Sequence, residues 1–156
     1  RFGGGTKQPD WEPFDVEWVY GTDREQSDYL TPDIAYLFPN AFVLSPSAYN
    51  VLAPNTPESI EFLPVELDGQ VWQIMHILGA GTEAFDQDES DFDVRPNGKR
   101  GIITKLVLKT ASIDDKRLFK VKSLTGMFSS DQAGSLKQLV EEHDLTGLEF
   151  NEVCVS

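Results

Sequence analysis

The stretch SIEFLPVELDGQVWQIMHIL (residues 59–78) constrains this chain more than any other. Two apolar runs of strand length flank Asp68-Gly69. Asp and Gly tolerate the positive φ that a two-residue type I′ turn needs at both central positions, and that turn matches the right-handed twist of the flanking strands. Residues 59–67 and 70–78 are therefore expected to pair as an antiparallel hairpin. Ile60, Phe62, Val65 and Leu67 are placed on one face, with Pro64 at an edge or a bulge because it lacks an N–H. An isolated hairpin is marginal in water, so the remaining chain must supply further strands and a covering layer.

The flanking sequence offers such elements. Alternation over 14–20 (FDVEWVY) predicts a strand, and 21–33 reads as a polar connection. Pro32-Asp33 is read as the start of a short helix over PDIAYLF, and NAFVLS (40–45) as a strand. Ser45 before Pro46 makes a good helix start, since Pro at the first helical position leaves no N–H unsatisfied. Residues 79–101 read as loop with a Pro-Asn-Gly turn, 102–109 and 117–122 as strands, and 127–130 as a further short strand. The best helix is 130–143, with Ser130 as N-cap and Leu136, Leu139 and Val140 sharing one face. LTGLEFNEVCV closes the chain as a strand, with Cys154 as a small buried residue on it. Residues 1–13, rich in Gly and carrying two prolines, read as a flexible N-terminal arm, and 14–156 as one domain. The predicted class is α+β: a single domain with a mainly antiparallel sheet and two or three short helices.

Charge narrows the function. The 156-residue chain carries a formal net charge of −13. Residues 1–94 hold 18 acids and 3 bases, residues 95–122 hold 2 acids and 9 bases, and residues 123–156 hold 6 acids and 1 base. A net acidic chain argues against nucleic-acid binding, which needs clustered Lys and Arg against phosphate. It favours capture of a basic partner. No apolar run reaches the length of a membrane span. A single cysteine excludes an internal disulfide and leans towards a reducing, cytoplasmic compartment.

The densest chemical feature is AFDQDESDFDV (84–94), with five carboxylates from Asp86 to Asp93. An EF-hand frame starting at Asp86 puts Asp91 where Gly is needed and Asn97 where a bidentate Glu is needed, so no calcium site is expected. Zinc has only His76, His143 and Cys154 to draw on, without ligand spacing, and His76 reads as a strand-surface or partly buried residue. There is no G-x-S-x-G elbow and no phosphate loop. Adjacent exposed acids lack the contrast of environments that a general acid/base pair requires. No catalytic residue and no cofactor is assigned. Trp11, Trp18, Tyr20, Tyr36 and Trp72 are read as packing residues, rather than as a stacking platform.

Four stretches, in this order and spacing, resemble a bacterial immunity-protein family, the eleventh in the polymorphic-toxin immunity series, formerly a domain of unknown function. AFVLSPSAYNVL is similar to its strand, Ser and short helix. SIEFLPVELDGQVWQIMHIL is similar to its F-x-P-V strand and the strand after it. EAFDQDES is similar to its acid–apolar–Asp motif ending in Ser, and LFKV…SLKQLVEEHDLTGLEFNEV to its closing strand, helix and L-T-G-L-x-F segment. Together they span roughly residues 40–153. Gly134 inside the expected helix and the first 39 residues depart from the pattern. The resemblance implies a non-enzymatic protein that neutralises a cognate toxin domain by binding it. Asp86 and Ser90 then serve the turn, and Asp88, Glu89, Asp91 and Asp93 are left as partner-binding residues facing a basic toxin. The alternative is a small intracellular ligand-binding domain or enzyme whose site is assembled from distant residues.

Overall fold

The structure, a computed structural model, describes residues 4–18, 30–38, 41–57 and 59–156. The predicted hairpin is its centre. β4 (Ile60–Leu67) and β5 (Gln70–Ile77) pair antiparallel from Ile60↔Ile77 to Leu67↔Gln70, and Asp68 and Gly69 close the turn at φ 50° and 72°. β3 (Ala41–Leu44) adds antiparallel to β5, and β2 (Ile34–Phe38) adds antiparallel to β3. β1 (Asp15–Val16) runs parallel to the end of β4, which gives a five-stranded sheet of order β1-β4-β5-β3-β2. The class is α+β, with a mainly antiparallel sheet.

Both faces of this hairpin are apolar, and they are covered differently. Ile60, Met75 and Ile77 pack with Phe42 and Leu44 under the helices. Leu63, Val65, Leu67, Trp72 and Ile74 point to the opposite side. Val65 and Leu67 thus lie across the sheet from Ile60 and Phe62, a correction to their expected common face. Strict two-residue alternation from Ile60 to Leu67 requires it, because no bulge interrupts the register. Pro64 keeps an edge-like position: its missing N–H lies on the outer side of β4, where its carbonyl accepts the Trp11 indole N–H at 2.8 Å.

The first face is closed by α1 (Pro46–Leu52) and α2 (Leu136–Glu142). Ser45 caps α1 by accepting the Ala48 N–H at 3.2 Å, with Pro46 at the first turn as expected. α2 is shorter than the predicted 130–143. Its N-cap is Ser135, which accepts the Gln138 N–H, rather than Ser130. Gly134 has φ +75°, incompatible with a helix running through it. The predicted Leu136, Leu139 and Val140 face is buried.

Residues 34–38 form a strand, not a helix. Ile34 is captured on both sides: the run pairs with β3, while its N–H donates to Thr146 O at 3.0 Å. The strand expected over 14–20 is present at Asp15–Val16, and positions 19 and 20 lie outside the described residues. Other short strands are β6 (Asp91–Val94), β7 (Arg100–Lys105), β8 (Val107–Leu108), β9 (Leu118–Phe119), β10 (Phe128–Ser129) and β11 (Cys154–Val155). The expected 102–109 strand is therefore broken at Leu106, and the closing strand is confined to two residues. Cys154 is exposed, not buried, because β11 pairs parallel with β8 at the rim. A third, smaller core joins Ala84, Leu108, Phe119 and Val121.

The L-T-G-L segment after α2 has a mechanical role. Thr146 and Gly147 lie against the outer edge of β2. A Cβ on Gly147 would sit 1.9 Å from the Ile34 carbonyl oxygen, and its φ is +106°. Gly147→Ala is therefore expected to destabilise the protein by at least about 2 kcal/mol, from strain and displaced backbone together. Urea unfolding measures this. A loss under about 0.5 kcal/mol would contradict the close approach.

Candidate functional site

The acidic stretch divides into inward and outward residues. Ala84 is fully buried, and Phe85 bridges Leu108, so the chain enters the segment anchored. Asp86 then turns its carboxylate onto its own loop. Its Oδ1 accepts the Asp88 and Glu89 N–H groups, both at 3.2 Å, and its Oδ2 accepts the Ser156 hydroxyl at 2.9 Å. The Ser156 hydroxyl, then the two backbone donors, hold the Asp86 carboxyl below the usual carboxylate range against the opposing effect of burial. Ser90 accepts the Val107 N–H at 2.9 Å. Asp86 and Ser90 are thus structural, as their short polar side chains suggested.

The four carboxylates left over, Asp88, Glu89, Asp91 and Asp93, are exposed. They lead into and along β6, which pairs antiparallel with β7 as a two-stranded sheet. The turn between these strands is the predicted Pro-Asn-Gly, closed by Gly98 N–H to Arg95 O at 2.8 Å and Arg95 N–H to Lys99 O at 2.9 Å. The end of the acidic stretch and the start of the basic one, read separately in the sequence, are the two strands of this ribbon. Asp91 lies opposite Lys105, and the Arg100 guanidinium stacks 4.7 Å from the centre of the Phe92 ring. Lys99, Arg100 and Lys105 belong to the same surface, and the sequence reasoning missed them. The turn residues at 96–98 were the available signal, since they fold the basic run back on the acidic one.

Other polar groups are buried and consumed inside the fold. His76, expected as a strand-surface or partly buried residue, is fully buried, and its Nδ1 lies 2.6 Å from Glu61 Oε1 on the neighbouring strand. Glu61 also accepts the Thr6 hydroxyl and the Lys7 N–H at 2.9 Å. Burial raises its pKa, but the Thr6, His76, Lys7 and Gln8 hydrogen bonds outweigh that and leave the carboxyl lowered. Residues 4–11, read as a flexible arm, therefore have defined attachments at Glu61, at Pro64 O and at Gly79, whose N–H donates to Gly4 O at 2.7 Å. Trp11 and Trp18 pack on the face of the sheet that holds Trp72, whereas Tyr36 is 60% exposed and Tyr20 lies outside the described residues.

Lys120 is buried with its Nζ on the Ile77 carbonyl at 3.1 Å and on the Gly79 carbonyl, and burial pushes its amine down. A cleft of about 250 Å³ lies beside it, between Gly4, Gly79 and the 120–124 turn. Among the described residues, no group of three His, Cys, Asp or Glu side chains converges to hold a metal ion. No helix of the described residues is long and apolar enough to cross a membrane. No family model matches this chain, and no curated protein matches it. The resemblance to the immunity family rests on the four motifs alone.

The most specific of those motifs converges on Asp33. Its Oδ2 accepts the Thr146 N–H and hydroxyl, each at 2.9 Å, and its Oδ1 accepts Ser45 and Ser47 hydroxyls at 3.2 and 3.1 Å. The Thr146 N–H, opposed by burial and helped by the three hydroxyls, lowers the Asp33 pKa. A lowered carboxyl contributes stability that is present above its unfolded value and lost as pH falls through the folded one. Asp33→Asn should cost about 1–2 kcal/mol at pH 7, with the difference from the parent shrinking as pH drops below about 4. Urea unfolding at pH 7 and pH 3 checks this. An equal difference at both pH values would rule out the charged clasp.

Proposed function

We propose that this chain is a non-enzymatic, immunity-type protein that neutralises a cognate, basic toxin domain by direct binding. The observation that carries the reading is the division of labour in the acidic stretch. Asp86 and Ser90 turn inward to hold the loop, while Asp88 and Glu89 beside them and Asp91 and Asp93 on β6 stay in solvent. Such charges act on encounter more than on affinity, because exposed pairs are screened and weak while the summed field of −13 reaches further. A cytoplasmic location fits an immunity function, since the producing cell must be protected from within.

One observation favours the alternative of a small ligand-binding domain or enzyme: the cleft beside Lys120. Its volume of about 250 Å³ is below the roughly 300–1,000 Å³ of drug-sized sites. The one deeply buried cation lining it already donates to two carbonyls. The immunity reading is the better supported of the two.

Co-expression with a toxin encoded by the adjacent gene, followed by association kinetics at low and high salt, tests the proposal. The parent chain should protect the host. Replacing Asp88, Glu89, Asp91 and Asp93 together by amides should slow association about tenfold at low salt without unfolding the protein. A fourfold variant that associates as fast as the parent would remove this surface from the interface. Failure to bind or neutralise any neighbouring toxin would end the immunity reading.

A further inference from the structure

The ribbon of β6 and β7 has no third strand, as the β8–β11 and β9–β10 pairs also have none, but its strands of four and six residues are longer than their two-residue strands. Both of its outer edges lack a strand partner among the described residues. Two large apolar side chains on it stand in solvent, Val94 at 74% and Ile102 at 68% exposure. An exposed strand edge is a template for pairing with another chain, and an isolated two-stranded ribbon is marginal by itself. Charge is segregated strand by strand, with Asp91 and Asp93 on β6 and Arg100 and Lys105 on β7. None of these four makes an ion pair among the described residues, and Arg100 alone is engaged otherwise, over the Phe92 ring.

Resting on the protein-binding reading above, the geometry points to strand addition: the free edge of β6 takes an extended segment of another protein in which Lys or Arg alternates with apolar residues. The segregation of charge decides the occupant. A second copy pairing β6 with β6 would oppose Asp91 and Asp93 to their own kind, and pairing β7 with β7 would do the same with Arg100 and Lys105. Like charges across a strand pair disfavour both. Pairing β6 of one copy with β7 of the next is complementary in charge but does not close, and would propagate. A basic segment from a different protein satisfies the carboxylates and the backbone edge together. Of the two edges, that of β6 continues an acidic approach through Asp88 and Glu89, and the whole chain draws basic partners to it. Main-chain hydrogen bonds then supply affinity, and the alternating side chains supply selection.

An alternating Lys-Val heptapeptide is the probe, with two controls: the same peptide N-methylated at alternate residues, and an alternating Glu-Val heptapeptide. Backbone amide shifts of the full chain are followed by NMR. The Lys-Val peptide is expected to move the amides of residues 91–94, and N-methylation to weaken it at least tenfold. Equal binding by the N-methylated peptide would reduce the effect to the general field and overturn strand addition. Shifts centred on 100–105, or stronger binding by the Glu-Val peptide, would overturn the choice of edge. A chain that protects against a toxin yet fails this test keeps the immunity reading and loses the docking mode. A chain that passes it yet neutralises no toxin does the reverse.

Discussion

A hairpin that is apolar on both faces cannot lie on a surface. That property of β4 and β5 sets the rest of the molecule. One face, through Ile60, Met75 and Ile77, is met by α1 and α2 with their Leu52, Leu139 and Val140. The other, through Leu63, Val65, Trp72 and Ile74, has no helix on it among the described residues. Trp11, Val16 and Trp18 of the N-terminal segment pack there instead. A segment with only two residues of regular pairing to the sheet must be fastened by other means. Glu61 provides the fastening. Its carboxylate is buried next to His76, and it binds the hydroxyl and backbone donors of residues 6–8. A buried carboxylate left unpaired would cost several kcal/mol, so the donors and the acceptor hold each other in place.

The same logic recurs at the other polar residues that draw the eye in the sequence. Asp33 ties Thr146 to the N-cap of α1, Asp86 ties its loop to Ser156, and Lys120 ties the Ile77 and Gly79 carbonyls together. Each is a long-range fastener in a chain with no disulfide and with many two-residue strands. The motifs that carry the family resemblance therefore describe a scaffold: Ser45, Asp86, Ser90, Thr146 and Gly147 all have structural work. Asp88 and Glu89, within one of those motifs, stay exposed and lead into the ribbon of β6 and β7.

Local chemistry made some features legible. The Asp68-Gly69 turn, the Ser45-Pro46 helix start and the buried stripe of α2 each follow from a few adjacent residues, and each is present. Local chemistry misleads where a distant segment decides. PDIAYLF has a helix-compatible opening, but Thr146, more than a hundred residues away, holds Ile34 as an edge strand. His76 reads as strand-surface or partly buried because its partner sits on the other strand of the hairpin, and its full burial goes with Glu61 and residues 6–8. The start of α2 does have a local signal: Ser135 to Gln138 is an S-x-x-Q pattern directly after a glycine. At the candidate site, the four exposed carboxylates were identified from sequence. The basic strand beside them is not evident from charge along the chain, because the 96–98 turn brings it across.

Residues 4–18 are, by these contacts, a layer of the fold latched by Glu61. Native-state hydrogen exchange at the Lys7 and Gln8 amides tests it most directly, since both donate to the Glu61 carboxylate at 2.9–3.3 Å. Both amides are predicted to exchange at least about a hundredfold more slowly than an unstructured chain, and to lose that protection in Glu61→Ala while β5 keeps its own. Exchange at the unstructured rate in the parent protein would contradict the claim, and would leave the second face of the hairpin without its cover.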